Sequence, residues 1–192
     1  MKKIKLLLCL FMLTTLCGCS NSNKNESSKT LNAAMFWIST SLDPTNNYDG
    51  WVLSRIGVGE TLLKLNEKYE VEPSLAKSYE QIDDTTWKLT LKDHITFSNG
   101  NKVTGENVKA CLERAFEKNT RAIDYFDLNH VEADKQDVYL YLNKSSGAIL
   151  NNLCEPLFTI YDASQSEEDI AKHPLCTGPF VVDDFVSEKT ID

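Results

Sequence analysis

The alternation of apolar and polar residues predicts two β-hairpins in the middle of the chain. Residues 86–91 alternate strictly, with the period of two that is typical of a strand with one buried face. Its apolar members are Trp87, Leu89 and Leu91. A strand-like run at 78–82 precedes this strand across a short polar turn. A second pair of runs, at 131–133 and 138–142, flanks the turn Lys135-Gln136-Asp137.

A helical period follows the first hairpin. Thr104 occupies the position of an N-cap, and Glu106 in the first turn complements the helix dipole. Apolar residues then recur at helical spacing, at Val108, Cys111, Leu112, Ala115 and Phe116. The spacing predicts a helix with one buried stripe.

Shorter patterns predict the remaining elements. The predicted strands are 31–38, 59–65, 157–161 and 181–185, the predicted helices are 147–153 and 167–172, and residues 48–59 are a loop or a short helix. Strands and helices mingle without regular βαβ alternation. The order favours a mixed α+β domain over a doubly wound sheet.

The N-terminus has the order of an export signal. Three lysines precede an apolar run at 6–16, which is too short to span a bilayer. The sequence Leu16-Cys17-Gly18-Cys19 resembles a bacterial lipobox, in which the final cysteine is acylated; an ordinary signal peptide with an incidental cysteine is the alternative. We therefore predict a lipoprotein signal peptide at 1–18, lipidation at Cys19 and a flexible, lipid-anchored tether at 19–30. The chain is then held at the extracytoplasmic face of the cell membrane.

Charge excludes some partners. Without residues 1–18 the chain keeps 17 basic against 28 acidic residues, a net charge of −11. Proteins that bind nucleic acid need a basic face, so nucleic acid is excluded as a partner. The same sign opposes adhesion to anionic lipid, so membrane attachment must come from the acyl chains.

Three cysteines remain in the predicted exported domain. Cys111 falls on the apolar stripe of the helix and is expected to be a buried, small hydrophobic residue. A disulfide between Cys154 and Cys176 is an alternative to free thiols, because the exported setting permits one.

The chain shows little that is typical of an enzyme. His94, His130 and His173 lie in no catalytic motif, and the sequence has neither a phosphate-binding glycine loop nor a nucleophile elbow. A metal cluster of His173, Cys154 and Cys176 would lack a fourth ligand. We therefore predict no catalytic residue, no cofactor and no metal site.

Large amphipathic side chains cluster after the first predicted turn. Tyr48, Trp51 and Arg55 stand beside Gly57 and Gly59, a composition suited to a recognition surface. The alternative is that the aromatic residues fill the core.

Eight short segments, in order along the chain, resemble the peptide and nickel family of extracytoplasmic solute-binding proteins (family 5), the receptors of ABC importers. The first four are Leu42-Asp43-Pro44, Gly59-Glu60-Thr61-Leu62, residues 72–79 and residues 86–93. The others are Ile95-Thr96-Phe97-Ser98-Asn99-Gly100, Val103-Thr104-Gly105-Glu106-Asn107-Val108, residues 138–142 and Thr177-Gly178-Pro179-Phe180.

The resemblance implies an α+β fold that is the incomplete first lobe of a two-lobed protein, spanning residues 31–192 without the second lobe. Such proteins close around a ligand by a hinge motion and deliver it to permease subunits. It implies a set of ligand-binding residues: Tyr48, Trp51, Arg55, Gly59, Glu60, Arg121 and Thr177. One departure is Cys176, which stands where the family usually has glycine.

The predicted function is therefore that of a lipid-anchored, substrate-binding component of an ABC importer for peptides or nickel. Arg55 suits a peptide carboxylate and an anionic chelate equally. Few histidines argue against direct coordination of nickel, so a peptide is preferred over chelated nickel. A truncated remnant that binds nothing is the alternative, because relatives are longer.

Overall fold

A computed structural model of the chain describes residues 39–187 and 189–191. The predicted signal peptide, tether and first strand all lie outside the described residues, so they stay predictions. The helices are α1 (Asp49–Arg55), α2 (Gly105–Lys118), α3 (Ala122–Tyr125), α4 (Ile149–Asn152) and α5 (Glu167–Lys172), with a 3₁₀ turn at Pro156–Phe158. The strands are β1 (Leu63–Leu65), β2 (Val71–Pro73), β3 (Ala76–Gln81), β4 (Thr86–Leu91), β5 (Leu128–Asp134), β6 (Asp137–Leu142), β7 (Phe185–Val186) and β8 (Thr190–Ile191).

Four strands form an antiparallel sheet in the order β3-β4-β6-β5. Both predicted hairpins are thereby confirmed, and β4 and β6 join them at the centre. Trp87 pairs with Leu140, which pairs with Val131, so the apolar side chains of three strands share one face. Helix α2 packs against β5 and β6 and covers this face.

Helix α2 begins where the sequence predicts. Thr104 adopts an extended backbone, its hydroxyl accepts from the Asn107 amide, and its own amide donates to Asn107 Oδ1 over 2.9 Å. This reciprocal pair is a capping box, which satisfies two otherwise free amides. The predicted stripe is confirmed: Val108, Cys111, Leu112 and Ala115 are buried, and Phe116 is half-buried.

Three predicted strands differ in the structure. Residues 157–161 do not form a strand, because Pro156 starts a 3₁₀ turn and only Ile160 and Tyr161 make isolated bridges, to Glu60 and Cys176. The predicted strand at 181–185 shrinks to β7, since Phe180 and Val181 are 61% and 60% exposed and β7 pairs with β8 over two residues. The strand predicted at 59–65 shortens to β1.

The alternative of a Cys154–Cys176 disulfide is wrong, because Cys111, Cys154 and Cys176 are all free thiols. Cys154 Sγ donates to the Leu150 carbonyl within the turn of α4, whereas Cys176 is buried opposite Tyr161. Cys111 is buried as expected, and its thiol donates to the Tyr161 carbonyl over 3.0 Å. Within residues 39–187 and 189–191, no helix is long and apolar enough to cross a membrane.

Candidate ligand-binding site

The loop before α1 is fixed by a largely buried ion pair. Arg114 of α2 donates to both carboxylate oxygens of Asp43, over 2.8 and 2.6 Å, and also to Thr45 Oγ1 and the Tyr161 hydroxyl. Burial alone would raise the pKa of Asp43, but the hydrogen bonds from Arg114 and Thr45 outweigh it and lower that pKa. Asp43 of the Leu-Asp-Pro segment therefore supports the site as a structural residue.

Two side chains just after the C-terminal end of α2 donate hydrogen bonds to backbone carbonyls of the same loop. Asn119, which is buried, donates to the carbonyls of Thr45 and Asn47 over 3.0 and 3.2 Å. Arg121 donates to the Asn47 carbonyl over 2.8 Å. Since these donors bind main-chain oxygens, they fix the course of the loop into α1.

Helix α1 turns one face inward and one outward. Gly50 lies so close to the 3₁₀ turn that a Cβ there would be 2.2 Å from the Pro156 carbonyl oxygen, so only glycine permits this approach. The buried Asp49 accepts from Ser39 and Asn46, and burial raises its pKa. The outer face presents Tyr48 and Arg55, which are exposed, and Trp51, which is half-buried.

Arg121 lies against this outer face. Its guanidinium carbon is 3.7 Å from the centroid of the Tyr48 ring, a cation–π contact. Its Nη2 donates to the Tyr125 hydroxyl over 2.8 Å and is 3.8 Å from Glu155 Oε1. Arg55 makes a similar contact with Trp51, 5.3 Å from the ring centroid.

Glu155 joins the two aromatic–arginine pairs. Its Oε1 accepts from Trp51 Nε1 over 2.8 Å and faces Arg121. Burial, together with the nearby Glu155 carboxylate, raises the pKa of Tyr125. We call the resulting group the Arg121 cluster; it consists of Tyr48, Trp51, Arg55, Arg121, Tyr125 and Glu155.

The structure brings four of the predicted ligand-binding residues into this cluster: Tyr48, Trp51, Arg55 and Arg121. No sequence pattern predicts Glu155 or Tyr125 as part of the site. Glu155 is an isolated acidic residue in the turn between two apolar segments, and Tyr125 follows Arg121 by one helical turn. The spacing of Tyr125 from Arg121 could have identified Tyr125, whereas no local pattern pointed to the contacts of Glu155.

The other three predicted residues form a second group. Gly59 is buried, and a Cβ there would be 2.8 Å from Thr159 Cγ2; the Glu60 carbonyl accepts from the Ile160 amide over 2.9 Å. Thr177 precedes Gly178, whose amide donates to the Val58 carbonyl. The Thr177 hydroxyl oxygen is buried and has no hydrogen-bond partner among the described residues.

The side chains of the Arg121 cluster are of types suited to ligand recognition. Two guanidinium groups, three aromatic rings and one carboxylate share a partly exposed surface, a combination that binds planar or charged ligand groups. Among residues 39–187 and 189–191, no group of three or more histidine, cysteine or acidic side chains could hold a metal ion. The hypothetical cluster of His173 with two cysteines is therefore absent from this part of the chain.

Known proteins resemble this chain in sequence and in fold. The chain is 32% identical over 176 residues to the nickel-binding protein NikA of Staphylococcus aureus. The alignment covers 92% of this chain and 35% of NikA. It is 30% identical over 141 residues to the glutathione-binding protein GsiB of Escherichia coli, covering 67% of this chain and 28% of GsiB. The chain thus spans about a third of the length of these relatives.

Solved structures give the same result. The crystal structure of S. aureus NikA in complex with Ni(L-His)₂ superposes with a TM-score of 0.75 at 31% identity, over 80% of this chain and 32% of that one. A nickel ABC transporter protein from Bacillus halodurans gives a TM-score of 0.76 at 29% identity, over 81% and 32%. The predicted α+β fold, part of a lobe of a two-lobed protein, is confirmed.

The family described as bacterial extracellular solute-binding proteins, family 5, middle region, has a sequence model that matches residues 70–192. That match covers more than half of the chain, and it includes α2, the whole main sheet and Glu155. This protein therefore belongs to the family 5 bacterial extracellular solute-binding proteins.

Proposed function

We propose that this chain is the ligand-capturing part of a lipid-anchored receptor that delivers its ligand to the permease of an ABC importer. The observation that carries the proposal is the Arg121 cluster, a partly exposed set of arginine and aromatic side chains on a solute-binding fold. A family of solute-binding proteins also agrees with the prediction that the chain is not an enzyme.

The proposed ligand is a nickel chelate or a peptide, and the relatives now favour the chelate. NikA of S. aureus, a nickel-binding protein, aligns with 92% of this chain, whereas GsiB aligns with 67%. Nickel would enter as a complex that already holds its own ligands, because the described residues include no metal-binding group. The exposed Arg55 guanidinium would then bind a carboxylate of the complex.

The proposed location is the extracytoplasmic face of the cell membrane, through a lipid on Cys19. The lipobox-like sequence and the net charge of −11 support it, since an acidic domain needs a covalent lipid to stay at an anionic surface. Replacing Cys19 by serine should release the chain from the membrane fraction and abolish incorporation of labelled fatty acid. Unchanged labelling in Cys19→Ser would contradict the anchor and leave the ligand proposal untouched.

Titration calorimetry tests the binding itself. The full chain, first shown to be folded by circular dichroism, is titrated with Ni(L-His)₂, with glutathione and with Ni²⁺ alone. We expect binding of the chelate, and a loss of about 10- to 100-fold in Arg55→Met, the range given by one charge-assisted hydrogen bond. Arg55 is exposed, so this variant leaves the fold intact.

Lys118→Met is the matched control, because Lys118 is also an exposed cation and belongs to α2 rather than to the Arg121 cluster. Its affinity should equal that of the unmodified chain. A folded chain that binds none of the three probes would refute the proposal and favour the non-binding remnant.

A further inference from the structure

We propose that Glu155 sets the charge selectivity of the ligand site by lowering its affinity for dianions relative to neutral ligands. The inference rests on the proposed function, since it concerns the ligand that the Arg121 cluster would bind. Nothing in the sequence motifs assigns a role to Glu155; its contacts with Trp51 and Arg121 do.

The carboxylate of Glu155 lies against Trp51 and Arg121. Glu155 Oε1 accepts from Trp51 Nε1 over 2.8 Å and lies 3.8 Å from Arg121 Nη2. The side chain of Glu155 is 15% exposed and that of Arg121 is 26% exposed. The carboxylate is therefore partly shielded from water, where its field acts on neighbouring charges more strongly than it would in bulk solvent.

The Arg121 cluster contains two guanidinium groups and one carboxylate. Within the cluster, Glu155 compensates one of the two guanidinium charges, which leaves a single positive charge, on the exposed Arg55. Without the carboxylate the same surface would carry two positive charges. A ligand with two negative charges thus meets a net charge of +1 where it would otherwise meet +2, whereas the affinity for a neutral ligand changes little.

A substitution at Glu155 can remove the charge of the side chain without changing its shape. Glu155→Gln keeps an oxygen that can accept the Trp51 indole hydrogen, and it keeps the size of the side chain, while removing the charge. If Glu155 only positioned Trp51 and Arg121, this variant would change all ligands alike. A change that depends on ligand charge is the specific signature of selectivity.

The experiment compares two nickel complexes that differ in charge, the neutral Ni(L-His)₂ and the dianionic Ni–EDTA, on the full chain. A like charge at about 6 Å in a half-buried site changes affinity by roughly 3- to 100-fold. Glu155→Gln should therefore raise the affinity for Ni–EDTA, relative to that for Ni(L-His)₂, by about tenfold, and the gain should shrink as salt is added. Glu80→Gln, an exposed carboxylate on β3, should leave the ratio unchanged.

The relative affinities of Glu155→Gln for the two nickel complexes test the inference. An equal effect of Glu155→Gln on both complexes, or a fall in the affinity for Ni–EDTA, would overturn the inference while the proposed function stands. If neither the unmodified chain nor Glu155→Gln binds either complex, both the inference and the proposed function fail. Binding of Ni–EDTA by Glu155→Gln alone would support the inference in its strongest form.

Discussion

Removing the guanidinium of Arg114 should destabilise the fold severely. Both members of the Asp43–Arg114 pair are only 13% exposed, and Arg114→Met would leave the carboxylate without its two hydrogen bonds of 2.8 and 2.6 Å. Breaking a buried pair by deleting one partner costs about 3–5 kcal/mol, because the remaining charge stays desolvated. For a chain of this size that corresponds to a fall in Tm of about 6–20 °C.

Urea unfolding of the full chain at pH 7, followed by circular dichroism, measures this cost. The double variant Asp43→Asn with Arg114→Met removes both charges and should recover part of the loss, since no uncompensated carboxylate remains. Lys118→Met, which breaks the exposed pair with Glu167, should leave the midpoint unchanged. A loss of less than about 1 kcal/mol in Arg114→Met would refute the reasoning, because a value that small is typical of surface pairs.

The same pair predicts how stability depends on pH. The pKa of Asp43 is lower in the folded chain than in the unfolded one, so its contribution is complete above the unfolded pKa of about 3.9. It is lost as the pH falls through the folded pKa. Asp43→Asn should therefore be least harmful, relative to the unmodified chain, at the acid end of a pH series; a constant difference at every pH would contradict this assignment.

Three further predictions concern packing, capping and thiols. Gly178→Ala should unfold the chain or lower its Tm markedly, because the new Cβ would lie 2.3 Å from the Gly57 carbonyl oxygen, whereas Gly147→Ala meets no atom within 4 Å and should match the unmodified chain in a thermal melt. Thr104→Ala should cost about 1 kcal/mol in urea unfolding and Thr104→Ser much less, since serine keeps the capping oxygen. Iodoacetamide at pH 8 should label Cys154 before Cys111 in peptide mass spectra, because burial raises the pKa of Cys154 to about 11 and that of the fully buried Cys111 to about 12; faster labelling of Cys111 would contradict the packing.

The sequence predicts correctly those helices and strands that are determined by residues close together in the chain. The hairpins and α2 follow from periodicity and capping within about 15 residues, and the structure confirms them. The strand predicted at 157–161 was wrong because Pro156 starts a 3₁₀ turn that runs to Phe158. Apolar composition alone does not distinguish the two conformations.

The site was predictable only in part, for a similar reason. Tyr48, Trp51 and Arg55 are close in sequence, so their composition marked them together. Glu155 reaches Trp51 across 104 positions, and Arg114 reaches Asp43 across 71. No short-range pattern reports such contacts, and these two residues therefore emerged only from the folded chain.

The attachment of the α1 loop to α2 has a consequence for how this protein can evolve. Asn119 and Arg121 hold the loop through main-chain carbonyls, and Gly105 at the other end of α2 donates to the Lys135 carbonyl of the second hairpin over 2.7 Å. Arg114 adds bonds to the side chains of Asp43 and Thr45, so none of these attachments of the loop involves the side chain of Arg55. Substitutions at the exposed Arg55 can therefore accumulate on a fixed backbone, so this surface can vary without a change in the fold beneath it.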